Sequence, residues 1–311
     1  SCGLTSDVEK MVEMEKAGVG AVVLKSIFEE QINEETSGVF KAGYGMGDAY
    51  PEAEDYIKAY IRSNTIQKYV ELVRNAKSRL TIPVIASVNC FSGGEWVSFA
   101  RQLEEAGADA LELNVFILPV NEFKESAEVE NVYFEIVKSI KSQIKIPVSV
   151  KISHYFTNLS AFVDKIKAYG ANATTLFNRF YEPDININTL EMGAASVFST
   201  AAELRTTLRW TGILAGKDKK LEISASTGVH GGEAAVKLLL AGATTVQVCS
   251  VLYEKGIHVI EDINNFIGKW MDSKAFKTIG DYRGMLSYSS IENPDLYERA
   301  QFMKYFSNKQ Y

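Results

Sequence analysis

The sequence predicts an α/β protein folded as a (β/α)8 TIM barrel, and three observations predict it. Four segments repeat the order helix end, Gly, short apolar strand: Lys16–Leu24, Glu105–Leu113, Ala168–Leu176 and Leu240–Val248. In each, Gly suits the left-handed residue that closes a helix, and the residues after it suit a strand buried on both faces. Two further segments, Thr81-Ile82-Pro83-Val84-Ile85 and Lys145-Ile146-Pro147-Val148-Ser149, place Pro at a strand start, where its missing N–H costs least. With Leu221–Ala225 the chain offers seven strands, separated by helical stretches near 64–79, 93–106, 126–142, 158–169, 200–214 and 232–241. A doubly wound sheet is the rival, but no strand is followed by G-x-G-x-x-G, and the even beat favours closure.

Taken in order, the elements begin with Ser6-Asp7-Val8-Glu9, a capping box ahead of apolar Val8, Met11, Val12 and Met14. A barrel helix follows a strand, so the first strand is expected mostly upstream of Ser1, in a sequence that lacks a starting Met. Two strand-to-helix connections, at about 26–61 and 179–200, are too long for plain barrel loops. Both leave C-terminal strand ends, the face on which barrel enzymes build their sites, so they are expected to roof a pocket within one domain spanning residues 1–311. After Gly256 an amphipathic helix is expected at about 257–273, then a polar, Tyr-rich tail packed as surface helix.

Composition narrows the function. Lys and Arg number 33 against 39 Asp and Glu, a net charge of −6 that argues against a nucleic-acid or anionic-membrane partner and leaves a small anionic ligand open. The three cysteines, Cys2, Cys90 and Cys249, form no C-x-x-C pair, so neither a disulfide framework nor a metal site is expected, and the cytoplasm is the expected compartment. The longest uncharged run, Leu238 to Tyr253, falls short of the roughly 18 to 20 residues that cross a bilayer. Ser1-Cys2-Gly3-Leu4-Thr5 has no charged leader or apolar core, so no secretory signal is expected.

Strand C-termini collect Lys25, Asn89, Asn114, Lys151, Asn178 and Arg179, with Thr227-Gly228 and Cys249-Ser250 on the last two strands. Singly, such a Lys snorkels to solvent and such an Asn caps a turn; together at one mouth they read as a binding ring. Ser226-Thr227-Gly228-Val229-His230-Gly231-Gly232-Glu233 runs from strand to helix with small residues, a geometry that lets backbone N–H groups approach a phosphate.

These residues resemble the class 1 dihydroorotate dehydrogenases, and more closely the bacterial dihydroorotate dehydrogenase-like proteins. The resemblance runs through Val23-Leu24-Lys25-Ser26, Leu111-Glu112-Leu113-Asn114, Val150-Lys151-Ile152, Leu176 to Asp184, Thr227-Gly228 and Leu240-Ala241-Gly242-Ala243. It implies an oxidoreductase of pyrimidine biosynthesis whose FMN lies across the strand ends and exchanges a hydride with a flat small-molecule substrate. It also implies that Ser1, Cys2 and Ser26 lie against the flavin, that Lys25 and Lys151 stabilise negative charge on its ring, and that Asn89 and Asn114 hydrogen-bond flavin or substrate. Asn178 and Arg179 are implied substrate residues, with Asn121 a further match. Thr227, Gly228, Val229, Cys249 and Ser250 are implied to hold the phosphate, with Cys249 where the family often has Gly. A homodimer is an expected assembly.

One departure stands out. The family places its proton-accepting Cys or Ser just after Glu-Leu-Asn, and this chain reads Asn114-Val115-Phe116-Ile117-Leu118-Pro119. In the first insertion Tyr50 stands where the family supplies a substrate Asn. The expected replacement acid-base groups are His154 and Tyr155, then Cys90; His230 in the phosphate turn and His258 at a helix start are set aside. The expected function is therefore FMN-dependent oxidation or reduction of dihydroorotate or a related planar, anionic compound, with Lys25, His154 and Tyr155 as the catalytic set. Two alternatives are a non-catalytic flavin- or ligand-binding barrel that has lost its base, and a lyase or aldolase using Lys25 or Lys151 as a Schiff-base amine.

Overall fold

The computed structural model describes residues 1–28, 51–89, 93–179 and 182–298, and the side chains of these outside 51–62 and 93–96. Tyr50, Cys90 and most of the 26–61 insertion lie outside the described residues. The chain divides into two compact units, Ser1–Ile152 with Asp164–Asn172, and Ser153–Val163 with Ala173–Tyr311. Strand–helix alternation with parallel ladders, the chain order of a (β/α)8 barrel, runs through both.

The first unit contains α1 (Val8–Lys16), β1 (Val22–Val23), β2 (Ile27–Phe28), α2 (Pro51–Arg79), β3 (Val84–Asn89), α3 (Gly93–Glu105), β4 (Ala110–Asn114), α4 (Ser126–Lys141) and β5 (Val148–Ile152). β1 and β2 both pair in parallel with β3, which pairs with β4, and β4 with β5. The expected capping box shifts by one residue. Ser6 ends a 3-10 turn and gives its hydroxyl proton to the Gly3 carbonyl at 2.7 Å. The extended Asp7 is the cap instead, accepting from the Glu9 N–H at 3.0 Å.

Gly18, Gly107, Gly170 and Gly242 all take positive φ, from 91° to 117°, as the four-fold echo requires. The hydrogen bonds repeat as well: the Gly107 N–H donates to the Glu104 carbonyl and the Ala108 N–H to that of Leu103, with equivalent pairs after the other three helices. Side chains then tie each strand start to its neighbour. Glu15 accepts from the N–H groups of Thr81 and Ile82, and Glu104 from those of Lys145 and Ile146, just ahead of Pro83 and Pro147. Asp109 and Asn172 accept from the first strand N–H groups, of Val84 and Val148. These contacts fix the strand register, and register decides which side chains share a face.

The strands are buried on both faces, yet the faces differ in chemistry. Ala86, Val88, Leu111, Leu113, Val148, Val150 and Ile152 form an apolar face. The alternate residues are Ser87, Asn89, Glu112, Asn114, Ser149 and Lys151, and the pairings Ser87↔Glu112 and Asn114↔Lys151 keep them on one side.

The second unit begins at Ser153 and takes in the start of α5 (Leu159–Ala168), whose last turns belong to the first. It continues with β6 (Ala173–Leu176), β7 (Pro183–Asn186), β8 (Glu191–Ala194), α6 (Leu204–Lys217), β9 (Glu222–Ala225), α7 (Gly232–Ala241), β10 (Thr245–Val246), α8 (Ser250–Lys255), α9 (Val259–Ser273) and α10 (Asp295–Glu298). β6, β9 and β10 form a parallel ladder; β7 and β8 form an exposed antiparallel hairpin inside the 179–200 insertion. The tail departs from expectation, being mostly turns between a 3-10 turn at Ile279–Asp281 and the single turn α10. Its N–H groups bond to carbonyls of two helices: Gly284 and Leu286 donate to Leu239 and Leu240 in the last turn of α7, and Tyr288 donates to Gly212 within α6.

Candidate functional site

In the first unit the polar strand face ends in three buried side chains on neighbouring strands. Asn89 is 2% exposed, Asn114 6% and Lys151 8%. The Lys151 ammonium lies 3.6 Å from a carboxylate oxygen of Glu112, which is itself buried. The Asn89 Oδ1 atom is buried and accepts no hydrogen bond among the described residues. A buried amide oxygen left without a donor costs stability unless a ligand or water supplies one. The set therefore combines an acceptor awaiting a donor with a cation held in place by a carboxylate.

Serine hydroxyls flank this set. Ser1 Oγ lies 2.8 Å from Ser26 Oγ, which lies 2.7 Å from Ser87 Oγ. The break between β1 and β2 leaves Ser87 without a partner on that side of β3, and Tyr69 of α2 fills the place, accepting from the Ser87 N–H and donating to its carbonyl, both at 2.9 Å. Burial pushes the Tyr69 phenol far above its ordinary pKa, with the nearby Glu112 charge adding to the shift. Lys25 falls in that break and is exposed, its N–H donating to the Thr5 carbonyl; Cys2 is half-buried. The loop after Asn114 keeps its apolar character: Val115 is buried, and Leu118 and Val120 are exposed. Tyr133 of α4 accepts from the Ile117 backbone, and burial pushes its phenol up to about 12.

The second unit carries the Gly-rich turn. Thr227 and Gly228 take φ of 81° and 77°, and the Thr227 hydroxyl secures this by donating to the Phe177 carbonyl at 3.1 Å. A methyl group on Gly228 would come within 2.2 Å of the Leu204 N atom, so the turn tolerates only Gly there. A methyl on Gly231 would meet nothing within 4 Å. The N–H groups of Gly228, Val229 and His230 donate to no described residue. Backbone donors beside open space just before the ten-residue α7 suit an anion. Ser250, after half-buried Cys249, accepts from the Ser199 N–H at 2.9 Å.

The other predicted residues divide. The His154 ring lies 4.3 Å from Tyr155 and edge-on to Phe177 at 5.7 Å; partial burial holds its pKa below the ordinary imidazole value. Tyr155 is half exposed. Arg179 instead braces the hairpin segment, bonding Glu203 at 2.9 Å, the Ser196 and Val197 carbonyls, and Glu182 at 3.6 Å. Asn178 follows β6, half-buried, and the Asn121 side-chain oxygen accepts from the Phe123 N–H, as in a turn-capping Asn. Sequence reasoning missed Ser87, Glu112 and Ser199. The first two were legible as polar residues at every second position of strands β3 and β4; Ser199 had no local signal. No helix among the described residues is long and apolar enough to cross a membrane.

A family model described as dihydroorotate dehydrogenase matches residues 2–271. The catalytic subunit of dihydroorotate dehydrogenase B (NAD(+)) from Thermoplasma acidophilum is 30% identical over 281 residues, covering 88% of this chain and 89% of its own. The proteins of the same name from Thermoplasma volcanium and Pyrococcus furiosus are 27% and 26% identical, each matching 87% or more of both chains.

Proposed function

Because the chain belongs to the dihydroorotate dehydrogenase family of oxidoreductases, we propose that it is an FMN-dependent enzyme acting on dihydroorotate or a related planar, anionic compound. The observation that carries this reading is the buried trio Asn89, Asn114 and Lys151 at successive strand ends. A flat heterocycle with N–H and carbonyl groups along one edge meets the needs of the trio: the Asn89 oxygen takes an N–H, and Lys151 faces an oxygen that gains negative charge. Bound FMN supplies the hydride chemistry. The backbone donors at Gly228 and Val229, with the hydroxyl of Ser250, hold its phosphate.

The protein's own groups must orient the substrate and move its proton. Among the described residues, the loop from Val115 to Pro119 offers no side chain able to do so. His154 is the assigned base. Its lowered pKa keeps the imidazole neutral and able to accept, and the Tyr155 and Phe177 rings fix its orientation. The names of the Thermoplasma relatives describe catalytic subunits serving NAD(+); carried over, they make this chain the substrate-oxidising subunit of an assembly whose second component passes electrons to NAD(+). The test is anaerobic: purified full-length protein is loaded with FMN and mixed with dihydroorotate and related compounds while flavin absorbance is followed. Bleaching by one of them supports the reading, and a protein that stays colourless after FMN incubation refutes it.

A further inference from the structure

The first unit carries an irregularity beside its polar strand face. Val23 pairs with Ile85 and Ile27 with Val88, so four steps of chain from β1 to β2 lie against three on β3. The extra residue makes a bulge, a device that re-aims a side chain. Its trace in the burial pattern is Leu24 buried, Lys25 exposed, then Ser26 and Ile27 buried in succession. Within the bulge the backbone turns to groups outside the ladder: the Lys25 N–H donates to the Thr5 carbonyl at 3.4 Å, and the Ser26 N–H to Ser1 Oγ at 3.2 Å. Opposite it, the Ser87 N–H donates to the Tyr69 hydroxyl, and that hydroxyl donates to the Ser87 carbonyl, both at 2.9 Å. A phenol that accepts and donates at one residue does there what a peptide unit of a neighbouring strand does.

We infer that Tyr69 is the positioning residue of the Lys25–Ser26 corner: its hydroxyl takes the place beside β3 that the bulge vacates, and so holds Lys25 where the bulge presents it. The alternatives for Ser87 are poor. Ser87 is fully buried, and a buried N–H without an acceptor costs stability. Closing the bulge would bring up a strand carbonyl, but it would also slide β2 by one residue and turn Ile27 and Phe28 to opposite faces. Without the hydroxyl, water has to enter beside Ser87, and the corner loses its backing. Tyr69 comes from α2, the helix at the far end of the insertion that leaves at Ser26, so the chain braces the corner from which that insertion departs. The bearing of Tyr69 on the reaction rests on the reading of Lys25 as a flavin residue.

Tyr69→Phe removes the hydroxyl and keeps the ring that packs against Phe99 at 5.9 Å. The first measurement is amide hydrogen exchange of the full-length protein without flavin. Lys25 and Ser26, whose N–H groups bond elsewhere, should exchange about tenfold faster in the variant, together with Ser87, while Leu111 and Leu113 on β4 keep their rates. Unchanged rates at Lys25 and Ser26, or the same acceleration on β4, overturn the inference. Should Tyr69→Phe not fold, wild type decides through exchange at stepwise urea concentrations. Lys25 and Ser26 opening with or before Ser87 supports the inference, and their staying protected while Ser87 exchanges overturns it. The second measurement is the flavin reduction potential, by reference-dye titration. Tyr69→Phe should lower it by no more than Lys25→Ala does, and the double variant should match Lys25→Ala. A Tyr69→Phe potential equal to that of wild type where Lys25→Ala shifts it, or additive shifts in the double variant, overturn the inference. If Lys25→Ala leaves the potential unchanged, or FMN does not bind, the flavin reading of Lys25 falls, and exchange alone decides the role of Tyr69.

Discussion

Replacing Lys151 by Met removes the cation that stands 3.6 Å from Glu112, a carboxylate only 1% exposed. Both groups are deep enough that solvent screens them little, so the ordinary surface-pair value of under about 1 kcal/mol does not apply. Removing one partner of such a pair costs about 3–5 kcal/mol, because the other charge stays buried without compensation, whereas replacing both by neutral groups of similar shape is close to neutral. Lys151→Met should therefore lower the unfolding free energy by about 3–5 kcal/mol, and Lys151→Met/Glu112→Gln should recover most of that loss. The stranded carboxylate can relieve itself by taking up a proton, so the single variant should be less impaired at pH 5 than at pH 8. Urea denaturation at both pH values, on protein without added flavin, separates these effects from ligand binding. A single variant that loses less than about 1 kcal/mol, or a double variant no more stable than the single one, would refute a buried ion pair at this strand end.

With FMN bound, Lys151→Met/Glu112→Gln keeps the pair neutral and Glu112→Gln leaves a net positive charge, so a reference-dye titration should give a higher flavin reduction potential for the second. Lys25→Ala should lower the potential less than Lys151→Met, because Lys25 is exposed and water screens it; an equal effect would place Lys25 against the ring. Dihydroorotate should reduce the flavin roughly 10²–10⁴-fold more slowly than in a family member that has its Cys or Ser base, a deficit that stopped-flow bleaching measures. With whichever compound is active, His154→Gln should slow bleaching and Tyr155→Phe should not. Because burial lowers the His154 pKa, the neutral, accepting form persists as pH falls, so the acid limb of the wild-type rate should lie below pH ~6.5 and disappear in His154→Gln. Gly242→Ala should cost more than Gly107→Ala in thermal unfolding: both need positive φ, but a methyl at 242 would come within 2.4 Å of the Ala215 methyl carbon, while at 107 it meets only Lys77 atoms at 3.6 Å or beyond.

The strands and most helices were legible because their signals are local. A Gly needed at positive φ after a helix, and a Pro that cannot donate at a strand start, constrain the backbone within a few residues; those four helix ends and both Pro-led strands stand where the sequence puts them. The tail was not legible, since its turns are held by the carbonyls of Leu239, Leu240 and Gly212, which are remote in sequence. The same distinction separates the parts of the candidate site. Lys25, Asn89, Asn114 and Lys151 could be named because each ends an apolar run, but their environments depend on neighbours. The break between β1 and β2 exposes Lys25, and Glu112 on the adjacent strand gives Lys151 its counter-charge.

Strand alternation is where the sequence held more than the apolar pattern suggests. Ser87 and Asn89 on β3, Glu112 and Asn114 on β4, and Ser149 and Lys151 on β5 occupy alternate positions, and the parallel register lines them up. Burying one such residue can be incidental; burying five on one face, with Ser149 half-buried beside them, commits the fold to large desolvation losses unless those groups serve each other or a ligand. Ser87 is served by Ser26, and Lys151 by Glu112, lower on that face. Asn89 Oδ1, at the end of its strand, is a buried atom that accepts no hydrogen bond among the described residues. The polar face is thus tied together beneath by the serine hydroxyls and the Lys151–Glu112 ion pair and open to a partner at its end, which is the order expected of a site whose supporting layer is built in and whose last hydrogen bonds belong to what it binds.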